Sequence, residues 1–273
     1  LARHEEERDV GESKHHDETD ALFAAFMADR LCDHYEKRNK HVEYNHKKVY
    51  EQLKEFSKSV IDDAMQRGLD KEFSTWSKFD AIEVISPAEA SEIRRTQKDK
   101  VISSRCVWTR KEAEDGKLEM KCRIVGRGFQ EQFDEGLRRD SPTCSQLLVN
   151  LICSIAASRG MKLTAADVRG AFLQGLKIER DLYFELPTNL GSATIGNIAP
   201  GSLLKLKKSI YGVNDAARQW YQSFRAILIK LGWEPLTFEN AGFVFRDQTT
   251  QQVVALMALH VDDVLLAMDF QRF

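Results

Sequence analysis

The sequence contains few of the residues that mark fibrous, disulfide-rich or membrane-spanning chains. Only 5 of its 273 residues are proline and 15 are glycine, which argues against a low-complexity or collagen-like chain. No apolar run is long enough to span a bilayer, and no membrane partner is expected. The formal net charge is only -2, so any surface that binds nucleic acid must be local.

The 5 cysteines form no CxxC pair, so neither a zinc ribbon nor a dithiol redox motif is expected. An odd number of widely spaced cysteines is typical of reduced thiols in an intracellular protein. The contents of hydrophobic residues, 42%, and of charged residues, 30%, are ordinary for a globular protein. The chain starts at Leu1 without methionine and ends at Phe273, so we expect a fragment of a longer polypeptide.

The first 70 residues differ from the remainder. Residues 1–20 are almost entirely polar and are predicted to be disordered. Residues 21–70 are predicted to be helical, because apolar residues from Val49 to Met65 recur every three or four positions. Six of the seven histidines lie between His4 and His46, but without a recognised ligand spacing. A solvated polar helix is therefore favoured there over a metal cluster.

From Trp76 onward, strand and helix patterns alternate without a regular βαβ repeat, which predicts an α+β domain with an antiparallel sheet. Two strand patterns, 106–110 and 119–125, flank Asp115-Gly116, a signature of a hairpin turn. Helices are predicted over 143–160 and 216–231. Further strands are predicted at 162–168, 182–186, 243–245, 253–260 and 264–267.

Three aspartates at the ends of apolar segments are the candidate catalytic residues. Asp262-Asp263 is predicted to form the tip of a tight hairpin, and Asp167 ends another apolar strand. Neighbouring carboxylates repel each other unless a cation neutralises them, and phosphoryl transfer by two Mg²⁺ ions needs carboxylates from two strands. A plain Asp-Asp turn explains the pair equally well, and Asp167 alone could cap the turn that follows it.

Several sequence blocks occur in a fixed order from about Trp76 to the end of the chain. They are residues 107–111, 115–117, 121–130, 140–143, 167–176, 182–187, 208–221 and 260–263. Each block alone is a weak signal, but together and in this order they resemble the reverse transcriptases of copia-type LTR retrotransposons. Block 260–263, His-Val-Asp-Asp, resembles the Tyr-Val-Asp-Asp motif of that family.

The resemblance implies the fingers and palm of a polymerase right hand, with an antiparallel palm sheet, in residues 71–273. The thumb would be absent because the domain would be truncated at its C-terminus, and residues 1–70 would form a separate, partly disordered and helical segment. The implied activity is that of an RNA-directed DNA polymerase within a Gag-Pol polyprotein. The enzyme would add dNTPs to a primer 3′-hydroxyl by two-metal phosphoryl transfer.

The resemblance also implies roles for single residues. Asp167, Asp262 and Asp263 would be catalytic and would hold two Mg²⁺ ions, with Mn²⁺ as the alternative ion and Asp263 in an assisting role. The implied nucleotide-binding residues are Lys121, Arg123, Phe172, Tyr211 and Gly212.

Phe172 would exclude a 2′-hydroxyl, and an ordinary core phenylalanine is the alternative. Lys121 and Arg123 would clamp the triphosphate, and a solvated basic strand is the alternative. Arg218, Trp220 and Tyr221 are expected to anchor a helix to the sheet.

The expected truncation and the change at Asp215 favour a second hypothesis, and a further departure from the family pattern lies at His260. His260 replaces the usual tyrosine, and Asp215-Ala216-Ala217 replaces Gln-Ala-Pro. The second hypothesis is a catalytically inactive, decayed fragment that retains nucleic-acid binding, and the third is a scaffold that uses the helical region 21–70. The partners implied by the first are template–primer duplex, dNTPs, and the integrase and RNase H parts of the polyprotein. Its expected location is a cytoplasmic virus-like particle or the nucleus.

Overall fold

The computed structural model describes residues 43–44, 49–111, 117–132, 136–188, 190 and 193–269. Predictions for residues 1–42, for the six N-terminal histidines and for Asp115-Gly116 lie outside these described residues.

The described chain contains five α-helices and twelve strands within those ranges. The helices are α1 (Val49–Gln52), α2 (Lys58–Lys78), α3 (Pro87–Thr96), α4 (Gln146–Arg159) and α5 (Ala216–Lys230). The strands are β1 (Glu43–Tyr44), β2 (Ile82–Val84), β3 (Val101–Ile102), β4 (Ser104–Lys111), β5 (Glu119–Gly126), β6 (Lys162–Asp167), β7 (Tyr183–Glu185), β8 (Leu203–Leu206), β9 (Glu234–Pro235), β10 (Gly242–Arg246), β11 (Val253–His260) and β12 (Asp263–Met268).

The described residues divide into two compact units. The first, here called the aspartate unit, comprises described residues 142–168 and 228–269. The second, here called the hairpin unit, comprises the described residues between 43 and 141 and between 169 and 227.

The aspartate unit is built on a five-stranded antiparallel sheet with the order β6-β12-β11-β10-β9. Helix α4 begins where the Ser145 hydroxyl accepts a hydrogen bond from the Leu148 amide at 3.2 Å, and it ends at Gly160, whose φ is 63°. Its buried face contributes Leu148, Ile152 and Ala156 to one apolar core with residues of the sheet. This packing fixes the sheet that carries the candidate aspartates.

The hairpin unit contains the antiparallel pair β4–β5, with β1 on the other side of β4. Alternate residues of β5 are buried, as the alternation of polar and apolar residues predicts. Helix α2 packs on β5 at Gly68, where an added Cβ would overlap the Met120 carbonyl oxygen. Because α2 runs from Lys58 to Lys78, residues on both sides of position 70 belong to this unit.

A second sheet of the hairpin unit has the order β2-β8-β7-β3. Its β2–β8 and β7–β8 pairs are antiparallel, whereas β3 runs parallel to β7. Trp76 and Phe184 meet edge to face in the core of this unit, with ring centroids 5.6 Å apart. The chain is therefore a mixed α and β protein with several sheets. The five-stranded sheet is antiparallel, as the sequence predicts, and the parallel pair β3–β7 belongs to a different sheet.

Within the described ranges, no helix is both long enough and apolar enough to cross a membrane.

Candidate active site

Two of the predicted aspartates lie directly opposite each other in the aspartate unit. Asp167 is the last residue of β6 and Asp263 is the first of β12, and the strand register pairs them. Directly opposed residues of antiparallel strands share a face of the sheet, with Cα atoms about 4.5–5.5 Å apart. The sheet therefore brings together two carboxylates that stand 96 positions apart in the sequence, as the metal-site interpretation requires.

The hairpin between β11 and β12 turns one residue earlier than predicted. His260 pairs with Asp263, so the two turn residues are Val261 and Asp262 rather than Asp262 and Asp263. The Asp262 carbonyl oxygen accepts a hydrogen bond from the Val168 amide at 2.9 Å, which ties the turn to the end of β6. This shift places Asp263 on a strand, where it can face Asp167.

The turn holds Val261 at a φ of 59°, in the left-handed region. A β-branched residue rarely adopts this conformation, and such strain costs on the order of 1–3 kcal/mol. The strained residue lies directly beside the aspartates. Strain of this kind is concentrated at functional sites, which supports the assignment of this hairpin to the active site.

The carboxylates have two chemically distinct neighbours in the same unit. His260 is the cross-strand partner of Asp263 on β11, so His260, Asp263 and Asp167 form one row across the sheet. Burial raises the pKa of the Cys144 thiol, and the negative charges of Glu239 and Asp263 raise it further. The two facing carboxylates, Asp167 and Asp263, repel each other, and a cation between them would offset that repulsion.

The three predicted metal ligands are not brought together as one metal-binding group. Among the described residues, no set of three or more His, Cys, Asp or Glu side chains is arranged to hold a metal ion. The physical reason is the position of the turn, because Asp262 occupies it while Asp263 and Asp167 face each other. The donor type nevertheless fits, since Mg²⁺ is bound in proteins by one or two carboxylates together with water and substrate oxygens.

Three of the predicted nucleotide-binding residues meet in the hairpin unit. The Tyr211 ring contacts Phe172 edge to face, with centroids 4.9 Å apart. The Arg123 guanidinium lies 5.1 Å from the centroid of the same Tyr211 ring. The Nε of Arg123 is buried and has no hydrogen-bond partner among the described residues. A buried cationic donor without an acceptor is suited to an anionic ligand.

Backbone hydrogen bonds hold Tyr211 and Gly212 against the end of β5. The Gly126 amide donates to the Tyr211 carbonyl at 2.8 Å, and the Gly128 amide donates to the Gly212 carbonyl at 3.0 Å. Gly212 has a φ of 87°, and an added Cβ would lie 2.7 Å from a methyl carbon of Val125. Glycine is therefore required at position 212 by backbone conformation and by space.

An acidic residue that was not predicted lies beside the basic strand. Burial raises the pKa of Glu72 above its ordinary value. Hydrogen bonds from the Ile124 amide and from Trp76, and then the charges of Arg123 and Lys121, act in the opposite direction. Lys121 and Arg123 are two residues apart on β5, so they lie on the same face of that strand.

A buried ion-pair network was also missed. Asp215 is completely buried, and both its carboxylate oxygens accept hydrogen bonds from Arg180 at 2.9 Å. Arg180 Nε donates to Glu131 at 2.6 Å, and Gln219 donates to Asp215 at 3.0 Å. Burial acts to raise the pKa of Asp215, but the hydrogen bonds from Arg180 and Gln219, the charge of Arg180 and a backbone hydrogen bond act in the opposite direction, and the pKa is lowered. No local pattern signals this network, because Arg180 and Asp215 are 35 residues apart.

Arg218 joins α5 to another segment of the chain, whereas the ring contact of Trp220 lies within α5 itself. Arg218 donates to the backbone oxygen and to the carboxylate of Asp140, both at 3.0 Å. Trp220 is buried and stacks on Phe224 with centroids 4.9 Å apart. Arg218 therefore anchors the helix to the loop that contains Asp140, whereas the prediction was an anchor to the sheet.

Residues 71–271 match the family model described as "Reverse transcriptase (RNA-dependent DNA polymerase)". The Retrovirus-related Pol polyprotein from transposon RE1 of Arabidopsis thaliana is 28% identical over 170 residues, which cover 61% of this chain and 11% of that protein. The corresponding polyprotein from transposon TNT 1-94 of Nicotiana tabacum is 31% identical over 169 residues, covering 59% and 12%.

The yeast Saccharomyces cerevisiae provides a third relative, the Transposon Ty1-MR1 Gag-Pol polyprotein. It is 29% identical over 177 residues, which cover 61% of this chain and 8% of the polyprotein. The chain thus spans about a tenth of the length of the relatives it matches. The family match covers most of the chain and confirms the family that the ordered sequence blocks predicted. This chain belongs to the reverse transcriptase (RNA-dependent DNA polymerase) family.

Proposed function

We propose that this chain carries the polymerase part of a copia-type retrotransposon reverse transcriptase, which adds dNTPs to a primer 3′-hydroxyl on an RNA or DNA template. The observation that carries the proposal is the pairing of Asp263 with Asp167 at the ends of two neighbouring strands. Two-metal phosphoryl transfer needs carboxylates from separate strands side by side. Membership of the reverse transcriptase family supports the same reaction.

In this proposal the five-stranded sheet of the aspartate unit is the palm, and the β4–β5 hairpin belongs to the fingers. The family match starts at residue 71, within α2, and residues 1–70 precede that match. The partners of the polymerase are a template–primer duplex, dNTPs, and the integrase and RNase H parts of a polyprotein. The names of the relatives, which are Pol or Gag-Pol polyproteins, support the last of these.

Asp167, Asp262 and Asp263 would hold the divalent ions, with Asp167 and Asp263 on facing strands and Asp262 in the adjoining turn. When bound, a pair of Mg²⁺ or Mn²⁺ ions lowers the pKa of the primer 3′-hydroxyl and neutralises the leaving pyrophosphate. The role of the chain is to hold these carboxylates in place before the substrate binds. The hydrogen bond between Val168 and the Asp262 carbonyl does so for the turn.

The nucleotide residues act through charge and shape. Arg123 carries a guanidinium on β5, and we assign it to the triphosphate because its charge and forked donors suit phosphate oxygens. Lys121, two residues earlier on β5, supplies a second positive charge. Phe172 contacts Tyr211 and, at the position of the family's sugar-discriminating residue, excludes a 2′-hydroxyl.

Primer extension by the 273-residue chain on an RNA template tests the proposal. Asp263→Asn and Asp167→Asn should each lower the rate on the order of 100-fold or more, because each removes a charge that acts in the transition state. Metal binding gives a separate measurement. Mg²⁺ should raise the unfolding temperature of the unchanged chain and have a smaller effect on either variant, since ligands stabilise the folded state that binds them.

Asp269→Asn is the matched control, because Asp269 follows the opposite end of β12 and should leave extension and Mg²⁺ stabilisation unchanged. Wild-type extension rates in Asp263→Asn would show that the carboxylate assignment is wrong. Salt-sensitive binding of template–primer duplex by the unchanged chain, without extension, would identify a non-catalytic nucleic-acid-binding protein instead.

A further inference from the structure

The buried network around Arg180 joins three segments of the hairpin unit. Arg180 precedes β7, Asp215 precedes α5, and Glu131 follows β5 by five residues. A single guanidinium uses Nε, Nη1 and Nη2 to bond both carboxylates, at distances between 2.6 and 2.9 Å. Planar, forked bonds of this kind fix orientation as well as distance. The network therefore holds the three segments in one arrangement.

The network continues to the backbone that presents Tyr211. The side-chain amide of Asn214 donates to Glu131 at 3.2 Å and to the Gly128 carbonyl at 2.8 Å. The Gly128 amide in turn donates to the carbonyl of Gly212. Space is restricted here, because a Cβ added at Gly128 would lie 3.1 Å from the Asn214 Oδ1 and would overlap the Gly212 carbonyl oxygen. A displacement of residues 127–131 is thus transmitted directly to Gly212.

We propose that Arg180 and Asp215 are positioning residues that hold the Tyr211-Gly212 segment against β5 and so set the Tyr211 ring beside Arg123. The proposal rests on the proposed function, because it assigns the nucleotide-contacting surface to this segment. Neither Arg180 nor Asp215 touches the nucleotide in this account. Both act through Asn214 and Gly128.

Hydrogen exchange of the Gly126 and Gly128 amides measures the effect without any need for polymerase activity. These amides donate to the Tyr211 and Gly212 carbonyls, so their protection reports how firmly the segment is held. Asp215→Asn keeps the shape of the side chain, and Arg180→Lys keeps the positive charge. Each variant loses the pair of charge-assisted hydrogen bonds between the guanidinium and the carboxylate. Exchange at both glycines should become faster on the order of tenfold, as expected for the loss of one charge-assisted hydrogen bond.

Asn214→Ala distinguishes a local effect on the glycine amides from a general loss of folding. It leaves the bonds from Arg180 to its two carboxylates intact and removes the side-chain hydrogen bonds of Asn214 to Gly128 and Glu131. The same two amides should therefore exchange faster while the unfolding temperature changes little. Glu92→Gln is the control, since it breaks the exposed Arg95–Glu92 pair and should alter neither amide. Unchanged exchange at Gly126 and Gly128 in all three network variants would overturn the proposal, as would an equal acceleration throughout the unit.

Primer extension provides the functional measurement. The network variants should raise the KM for dNTP several-fold with little change in kcat, because they weaken nucleotide binding without touching the carboxylates. A loss of kcat at unchanged KM would contradict a positioning role. The two proposals fail separately, because Asp262→Asn should abolish extension and leave Gly128 exchange unchanged. Faster glycine exchange in a chain that extends no primer would refute the proposed function alone.

Discussion

Replacing Gly68 by alanine separates two opposite expectations for the stability of the hairpin unit. Gly68 lies within helix α2, where alanine is favoured over glycine by about 1 kcal/mol, so helix propensity predicts stabilisation. The packing predicts the reverse. An added Cβ would overlap the Met120 carbonyl oxygen, and it would lie 3.2 Å from the Met120 carbonyl carbon and 3.4 Å from the Cys122 amide nitrogen.

The obstructing atoms belong to the backbone of β5, so no side-chain rotation can remove the overlap. The helix and the strand must separate, and overpacking of this kind typically costs about 1–3 kcal/mol. We therefore expect Gly68→Ala to lower the free energy of unfolding by at least about 1 kcal/mol, although the substitution favours the helix itself. The sign of the change is thus sufficient to decide between propensity and packing.

Urea unfolding followed by tryptophan fluorescence measures this change, because Trp76 and Trp108 are buried in the core of the same unit. Ser74→Ala is the matched control, since Ser74 is exposed on the same helix and should alter stability by no more than about 0.5 kcal/mol. If Gly68→Ala proves as stable as the unchanged chain, or more stable, the close contact between α2 and β5 is refuted. The assignment of residues on both sides of position 70 to one unit would then lose its main support.

Two further predictions concern the hairpin unit. Burial raises the pKa of Glu72, so its protonated form contributes to stability below about pH 4, and this contribution is lost as the pH rises through the folded-state pKa. Glu72→Gln should therefore raise the urea midpoint of unfolding at pH 7 and leave that midpoint unchanged near pH 3. Equal midpoints at pH 7 would contradict this. Gly212→Ala should lower the free energy of unfolding by about 2 kcal/mol or more, through left-handed strain and overlap with Gly126. Gly196→Ala is the control and should lower it by only about 1–2 kcal/mol, because an added Cβ there has nothing within 4 Å. Equal losses of stability in the two variants, measured by thermal unfolding, would refute the packing argument.

Elements whose signal is contained in a short stretch of sequence could be predicted. Helices α4 and α5 were expected because their apolar spacing is helical and because Gly160 and Gly232 follow them; both glycines adopt positive φ, at 63° and 90°. Strand β5 was predicted from its alternation, which the burial of every second residue confirms. In each case the local preference and the tertiary packing agree.

Features decided by distant residues could not be predicted. Strand β3 has only two residues and no pattern of its own, so its parallel pairing with β7 depends entirely on the sheet around it. The position of the β11–β12 turn depends on Val261 adopting a left-handed conformation, against the preference of a β-branched residue. Since aspartate tolerates turn positions better than valine, the sequence predicts Asp262 and Asp263 at the tip of the hairpin. In the structure Asp263 instead belongs to β12, where it pairs with Asp167 of β6.

The two departures from the family pattern have different consequences. Asp215 stands where the family has glutamine, and an acid near the nucleotide seemed unfavourable for catalysis. The structure buries this carboxylate completely and pairs it with Arg180, so Asp215 presents no exposed negative charge. Breaking such a pair by removing one partner typically costs about 3–5 kcal/mol, so the acid at 215 is tolerated because the arginine is present at 180. Asp215 is therefore compatible with nucleotide binding, whereas His260, the cross-strand partner of Asp263, is the departure that lies beside a candidate catalytic residue.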